Sequence, residues 1–276
     1  MIEPAGLKRM EYGCSGPLVI VLHGGPAAAG SARGLAMGIA DSFRVLEPWQ
    51  RGSGERPLSV KTHIDDIRML IADLPGDEKP ALVGHSWGAM LALAYASEYP
   101  DTVGPIALVG NGTFDLQSRA RLQKLLSERQ NEEFRAKIAD LEAEVSDPAE
   151  RLLKQHALGE SIYSYATVHD LEPAPETETP PPFDLRAHTE TWEDMKRLQA
   201  EGVYPSAFSA IRSPLIMLHG TYDPHPGGMI FDSLRPHLPQ LEYKEWERCG
   251  HEPWAEKYVR EEFLLYLKTW LMNNVA

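Results

Sequence analysis

Three side chains in this sequence could together activate a serine. Ser86 lies in the segment GHSWG, which has the pattern G-x-S-x-G, and Asp223 and His251 follow it in chain order. A serine hydroxyl is a poor nucleophile until a histidine takes its proton, and that histidine needs a carboxylate to orient it. These residue types predict covalent acyl transfer, in which Ser86 attacks a carbonyl carbon.

The carboxylate that orients the histidine could also come from a position earlier in the chain. It would follow the segment PIALVG (105–110), where Asn111 stands. Because asparagine cannot carry the charge that stabilises an imidazolium, we prefer Asp223, with Asp115 as a weaker substitute.

Acyl transfer also needs hydrogen-bond donors for the developing oxyanion. The backbone N–H of Trp87, directly after the serine, is one candidate. The turn His23-Gly24-Gly25-Pro26 provides a second, because glycines let a backbone approach a bound carbonyl closely. We expect the N–H of Gly25 to be that donor and His23 to support the turn.

A strand followed at once by a helix must present the serine. Residues 80–86 (PALVGHS) predict a buried strand and residues 87–100 a strongly apolar helix. The turn between them crowds its own backbone, so small residues are needed at Gly84 and Gly88. This context strengthens a five-residue pattern that is common by chance.

The other two residues follow strands as well. Asp223 comes after the apolar segment 213–220 and His251 after the segment 241–246. In open α/β sheets the carboxyl ends of the strands line the functional crevice. We therefore expect both side chains to converge on Ser86.

The rest of the chain predicts the sheet that these strands belong to. Residues 17–25 and 43–48 are further strand candidates, residues 63–74 form an amphipathic helix, and a last helix covers about 256–272. Strands that alternate with helices predict an α/β fold with a mostly parallel sheet and helices on both faces.

A helical insertion interrupts this alternation. Residues 112–206 contain no convincing strand, are more acidic than the rest of the chain, and include a continuous helical stretch over 116–145. Asp147-Pro148 predicts the start of another helix, and the proline-rich segment 172–183 predicts a loop. We therefore expect a core over residues 1–111, an inserted helical lid over 112–206, and a second core part over 207–276.

Five short motifs in this order resemble the α/β-hydrolase superfamily: HGGP, QRGSG, GHSWG, HGTYD and CGHEPW. The segments HGGP and SWG, the latter followed by LALAYASEYPDTV, resemble its proline iminopeptidase-like branch. The resemblance implies an α/β-hydrolase fold, a triad of Ser86, Asp223 and His251, an oxyanion hole of Gly25 and Trp87, and a lid over the site.

The sequence also departs from that branch. Ala27 stands where HGGPG has its last glycine, and Trp49 stands where an acid precedes QRG. The lid glutamates that hold a substrate amine have only a weak counterpart, the segment 191–193 (TWE).

Composition excludes several other classes of protein. A net charge of −13 disfavours nucleic acids and anionic membranes as partners, and the apolar runs are too short to cross a bilayer. We expect no cofactor, because a dinucleotide loop and a P-loop are both missing, and no metal, because paired histidine or cysteine spacings are missing. Two cysteines and no secretory pattern at the start predict a cytoplasmic protein.

The sequence therefore predicts a serine hydrolase that cleaves an ester or amide of a small molecule. A proline-releasing aminopeptidase acting on short peptides, a carbon–carbon bond hydrolase and a lactonase share the same residues. A ligand receptor that keeps the hydrolase fold is the alternative from another class.

Overall fold

A seven-stranded sheet forms the centre of the computed structural model, which describes residues 7–76, 78–168 and 179–275. Its strands run in the order β1-β3-β2-β4-β5-β6-β7; β1 is antiparallel to β3 and all other neighbours are parallel. The strands are β1 (Arg9–Tyr12), β2 (Leu18–Leu22), β3 (Arg44–Pro48), β4 (Ala81–His85), β5 (Ile106–Val109), β6 (Leu215–Gly220) and β7 (Leu241–Trp246).

Helices cover both faces of this sheet. In the described residues they are α1 (Arg33–Ile39), α2 (Val60–Ala72), α3 (Trp87–Glu98), α4 (Leu116–Arg129), α5 (Glu132–Glu144), α6 (Pro148–Tyr163), α7 (Leu185–Ala200), α8 (Gly227–Leu234) and α9 (Arg260–Asn274). One apolar cluster joins α2, α3 and α8 to the sheet, and the other joins α1 and α9 to its opposite face. The predicted α/β architecture is confirmed.

The central strands are buried at every position because both of their faces are covered. All residues of β2, β4, β5 and β6 are buried. Continuous apolar runs of this kind are typical of parallel strands between two helical layers. They place the ends of β4, β6 and β7 at the same edge of the sheet, where Ser86, Asp223 and His251 follow.

Four helices, α4 to α7, lie in the chain between β5 and β6. The described parts of this stretch, 112–168 and 179–206, contribute no strand to the sheet. The predicted helix start at Asp147-Pro148 agrees with α6, whereas the predicted loop over 172–183 falls largely outside the described residues.

Some predicted boundaries are wrong. The helical stretch over 116–145 is two helices, because the chain turns at Gln130 and the Asn131 side chain accepts a hydrogen bond from the N–H of Phe134 to begin α5. The last helix begins at Arg260, after a short 3₁₀ turn at Pro253–Ala255. None of the helices in the described part of the chain is long and apolar enough to span a membrane.

Candidate active site

Ser86 occupies a strained turn between β4 and α3. Its φ is +54°, a conformation that a residue with a side chain rarely adopts. A Cβ atom on Gly84 would collide with the backbone of Gly88, and one on Gly88 with the carbonyl of Leu22. Glycine is therefore required on both sides of Ser86, as the sequence pattern predicted.

The structure brings Asp223 and His251 into direct contact. Nδ1 of His251 lies 2.7 Å from Oδ2 of Asp223, and the Asp223 carboxylate is completely buried. Because an ionised carboxylate can only accept, Nδ1 of His251 carries the proton and donates it. Nε2 of His251 then holds the lone pair that a base needs.

The imidazole of His251 lies beside the turn that carries Ser86. The N–H of Ser86 donates to the carbonyl of Val109 at 2.9 Å, which fixes the serine next to Gly110 in the sheet. A Cβ atom on Gly110 would lie 2.9 Å from Nδ1 of His251. His85, which precedes the serine, donates from Nε2 to the carbonyl of His251 at 3.2 Å.

Two further histidines surround the Asp223 carboxylate, and the sequence analysis missed both. Nδ1 of His225 lies 2.9 Å from Oδ1, and Nε2 of His219 lies 3.1 Å from Oδ2. The backbone N–H of His225 also donates to Oδ1 at 2.9 Å. The segment HGTYDPH, with histidines four residues before and two after the aspartate, is the sequence signal that could have revealed them.

This environment shifts the pKa values of the pair in opposite directions. Burial opposes the charge on Asp223, but the imidazoles of His251, His225 and His219 hold its pKa well below the ordinary value. Burial also disfavours the His251 imidazolium, yet the Asp223 carboxylate outweighs it and raises the pKa of His251. Burial lowers the pKa of His225, which favours its neutral form.

The turn proposed for the oxyanion lies next to the same residues. A Cβ atom on Gly24 would lie 3.3 Å from Cβ of Ser86. Nε2 of His23 accepts the backbone N–H of Gln50 at 3.0 Å, and burial lowers the pKa of His23 to about 4. The side chain of Gln50 accepts the indole N–H of Trp87 at 2.7 Å. His23 therefore braces the turn as a neutral ring.

The end of α6 and the residues after it pack against the loop that carries His251. The ring of Tyr163 lies 5.6 Å from that of His251, and its carbonyl accepts the His251 backbone N–H at 2.9 Å. The buried Glu256 carboxylate accepts backbone N–H groups of Tyr165, Ala166 and Gly250 at 2.7 to 2.8 Å. One carboxylate thus joins the inserted segment to the histidine loop.

The alternative acids have other surroundings. Asp115 caps α4 by accepting the N–H and the hydroxyl of Ser118. Asn111 is buried, and its amide finds no hydrogen-bond partner among the described residues. Neither residue contacts His251 in the hydrogen bonds that the structure describes, whereas Asp223 does.

Other conspicuous side chains have structural partners. Arg51 pairs with Asp66, with Nε of the arginine 2.7 Å from the carboxylate. Burial raises the pKa of the Cys249 thiol, which disfavours a reactive thiolate. In the segment TWE, Glu193 is exposed and pairs with Lys196 at 2.6 Å. Glu193 therefore lies at the surface and not in a buried position from which it could bind a substrate amine.

Comparisons with known proteins identify the fold family. A family model described as alpha/beta hydrolase fold matches residues 17–257. A solved thermophilic esterase from Thermogutta terrifontis superposes with a TM-score of 0.63 at 21% identity, covering 98% of this chain and 94% of that one. At such low identity the superposition supports the fold alone.

Two curated relatives illustrate the range of activities. The proline iminopeptidase of Neisseria gonorrhoeae is 35% identical over 33% of this chain and 32% of its own length. The 2-hydroxy-6-oxononadienedioate/2-hydroxy-6-oxononatrienedioate hydrolase of Paraburkholderia phymatum is 27% identical over 95% of this chain and 91% of its own. The first curated relatives align over only about a third of their own lengths.

Proposed function

The chain belongs to the alpha/beta hydrolase fold family, and we propose that it is a serine hydrolase that cleaves an ester or amide bond of a small molecule. The 2.7 Å contact between His251 Nδ1 and the buried Asp223 carboxylate carries this proposal. It fixes the tautomer in which Nε2 of His251 can take the proton of Ser86.

In the proposed first half-reaction, Oγ of Ser86 attacks the substrate carbonyl carbon and its proton moves to Nε2 of His251. The electron pair of the carbonyl double bond moves to the oxygen. When the tetrahedral intermediate collapses, His251 returns the proton to the leaving group, and the acyl group stays on Ser86 as an ester. Water then loses a proton to His251, attacks the ester and restores the serine.

The backbone N–H groups of Gly25 and Trp87 are proposed to hold the oxyanion. Trp87 is the first residue of α3, so its N–H has no partner inside the helix. Gly25 has a φ of +115°, and a Cβ atom there would lie 2.7 Å from the N of Ala28. Only glycine fits that turn, which supports a role for close backbone approach.

We further propose that the inserted helices α4 to α7 form the lid that selects the substrate. Acidic side chains of α7 attach it to the core: Glu190 accepts the N–H of Leu58 at 2.8 Å, and Asp194 accepts that of Val60 at 2.9 Å. Tyr163, at the end of α6, lies beside His251 and is the lid residue most directly placed to touch a substrate. The two free cysteines fit a reducing compartment, so we place the protein in the cytoplasm.

Carbon–carbon bond hydrolysis is the second candidate. A relative that aligns along 95% of this chain is named 2-hydroxy-6-oxononadienedioate/2-hydroxy-6-oxononatrienedioate hydrolase, and the compounds in that name contain neither an ester nor an amide. The aminopeptidase alternative has less support, since Glu193 lies at the surface with Lys196 as its partner.

A substrate panel tests these assignments. We expect release of nitrophenol from short-chain nitrophenyl esters by the parent protein and none by Ser86→Ala. A prolyl arylamide, with and without N-acetylation, tests the aminopeptidase, and a 2-hydroxy-6-oxodienoate tests the carbon–carbon hydrolase. Equal ester turnover by Ser86→Ala would contradict the proposal.

A further inference from the structure

The imidazole cluster around Asp223 is larger than an acyl-transfer triad requires. One histidine acts as the base, yet His225 binds the other oxygen of the same carboxylate at 2.9 Å. Its ring is stacked on that of His251, with 4.6 Å between the centroids and 18° between the planes. His225 takes no part in the acyl-transfer steps proposed above.

The three side chains already lie close to the geometry of a metal site. One ligand atom from each of Asp223, His225 and His251 falls within 4.8 Å of the other two. Zinc binds imidazole nitrogen and carboxylate oxygen at about 2.0–2.2 Å, so two ligands on one tetrahedral ion lie about 3.3 Å apart. The Nδ1–oxygen contacts of 2.7 and 2.9 Å, each to a different oxygen of Asp223, need to open by about half an ångström. The ligand atoms of His225 and His251, which lie within 4.8 Å of each other, need to close by up to about 1.5 Å.

The donor set and its surroundings suit a divalent late transition metal. Two imidazoles and one carboxylate match the preferences of Zn²⁺, which takes nitrogen and oxygen ligands together. The side chains of His225 and His251 are 14% and 11% exposed, while Asp223 supplies a buried negative charge. Nε2 of His219 lies 3.0 Å from the carbonyl oxygen of His225 and 3.1 Å from Oδ2 of Asp223, so this ring packs against the carboxylate from a third side.

We propose that Asp223, His225 and His251 form a Zn²⁺ site, and that zinc bound there switches off the hydrolase. The switching part rests on the proposed role of His251 as the base. A neutral imidazole that binds zinc through Nδ1 must carry its proton on Nε2, so the Nδ1 protons of His251 and His225 each pass through water to the Nε2 atom of the same ring. Nε2 of His251 can then no longer accept the proton of Ser86, and no net proton leaves either ring.

Calorimetric titration with zinc chloride alone tests the site without any need for activity. The protein is EDTA-treated Ser86→Ala in a buffer that does not chelate metals. We expect one saturable site, and we expect His225→Gln in the same background to weaken zinc binding by at least about tenfold. The matched control is His237→Gln, since His237 is also partly buried but follows α8 away from the cluster. Equal affinity in His225→Gln, or no saturable binding in Ser86→Ala, would overturn the proposal.

A second measurement needs no substitution at His225. Long-range ¹H–¹⁵N spectra of the histidine rings should show His251 change from the Nδ1–H to the Nε2–H tautomer as zinc is added. Persistence of the Nδ1–H form at saturating zinc would contradict the proposed ligation.

Labelling of the wild-type protein with a fluorophosphonate separates this inference from the proposed function. Zinc should block labelling and EDTA should restore it; undiminished labelling of the zinc-bound protein would overturn the switch. Failure of the zinc-free protein to label would count against the hydrolase assignment, and the calorimetric result would still decide whether the metal site exists.

Discussion

The Glu256 carboxylate holds the inserted segment against the loop that carries His251. Oε1 accepts the N–H groups of Tyr165 and Gly250 at 2.7 and 2.8 Å, and Oε2 accepts that of Ala166 at 2.7 Å. The residue is almost completely buried. These three bonds have a charged acceptor and little competition from water, so they should be stronger than ordinary hydrogen bonds.

Replacing Glu256 with glutamine keeps the shape but removes the charge and one acceptor oxygen. The amide NH₂ would face at least one of the three N–H groups, leaving a buried donor without an acceptor. A hydrogen bond to a charged group contributes about 1.5–3 kcal/mol, and the remaining bonds weaken, so we expect the free energy of unfolding to fall by about 2–4 kcal/mol. Misplacement of the His251 loop should also lower kcat/KM by about 100-fold.

Urea unfolding followed by circular dichroism, together with ester hydrolysis, measures both effects. The control is Glu247→Gln, because Glu247 is exposed and lies in the same connection between β7 and His251. That variant should behave as the parent protein. A Glu256→Gln protein that loses less than about 1 kcal/mol and keeps the parent rate would show that this carboxylate does not position the histidine loop.

Three further predictions concern the acid, the base and a remote carboxyl group. Asp223→Asn should lower kcat about 10⁴-fold, because an amide facing His251 favours the wrong tautomer of the imidazole. The control Asp232→Asn, at an exposed position, should keep the parent rate. A loss of kcat below about tenfold in Asp223→Asn would contradict the assignment of the acid. His251 must be neutral to act as the base, and the Asp223 carboxylate outweighs burial and raises the pKa of His251. With EDTA present, kcat/KM should therefore rise with pH through a midpoint above 6.5. A midpoint below 6.5 would contradict the raised pKa. Burial raises the pKa of Glu47 from 4.5 in the unfolded chain to about 7 in the folded protein. As the pH rises from 4.5 to about 7, the carboxyl group ionises in the unfolded chain before it does so in the folded protein, so the free energy of unfolding falls by about 3 kcal/mol. Glu47→Gln should therefore gain more stability over the parent at pH 8 than at pH 5 in urea unfolding, and an equal gain at both values would refute the shift.

The elements that present Ser86 could be predicted from the sequence because their signals are local. Buried parallel strands require continuous apolar runs, and the turn after β4 requires glycine on both sides of the serine. The same reasoning placed Asp223 and His251 after β6 and β7. Neither inference needed any knowledge of distant contacts.

The elements that the sequence analysis missed have weaker local signals. β1 is an edge strand whose residues RMEY are only partly buried, and it pairs with one neighbour. α1 and α8 are short, with seven and eight residues, and α8 begins with two glycines. Tertiary packing against the sheet, rather than helix propensity, accounts for both helices.

The histidines around Asp223 illustrate a different limit. His219 lies at the end of β6 among apolar residues, and its contact with Asp223 depends on how the chain turns after that strand. His225 reaches the carboxylate because its own backbone N–H and its ring both donate to Oδ1. A spacing pattern can place these residues nearby, but only the folded turn shows that they share one acceptor.

Covalent labelling tests the central claim most directly. The wild-type protein is treated with a fluorophosphonate probe, digested, and analysed by mass spectrometry, with Ser86→Ala and Ser53→Ala treated in parallel. We predict one modified residue, Ser86, with no adduct in Ser86→Ala and unchanged labelling in Ser53→Ala. An adduct on another residue, or equal labelling of the Ser86→Ala protein, would contradict the assignment of Ser86 as the nucleophile.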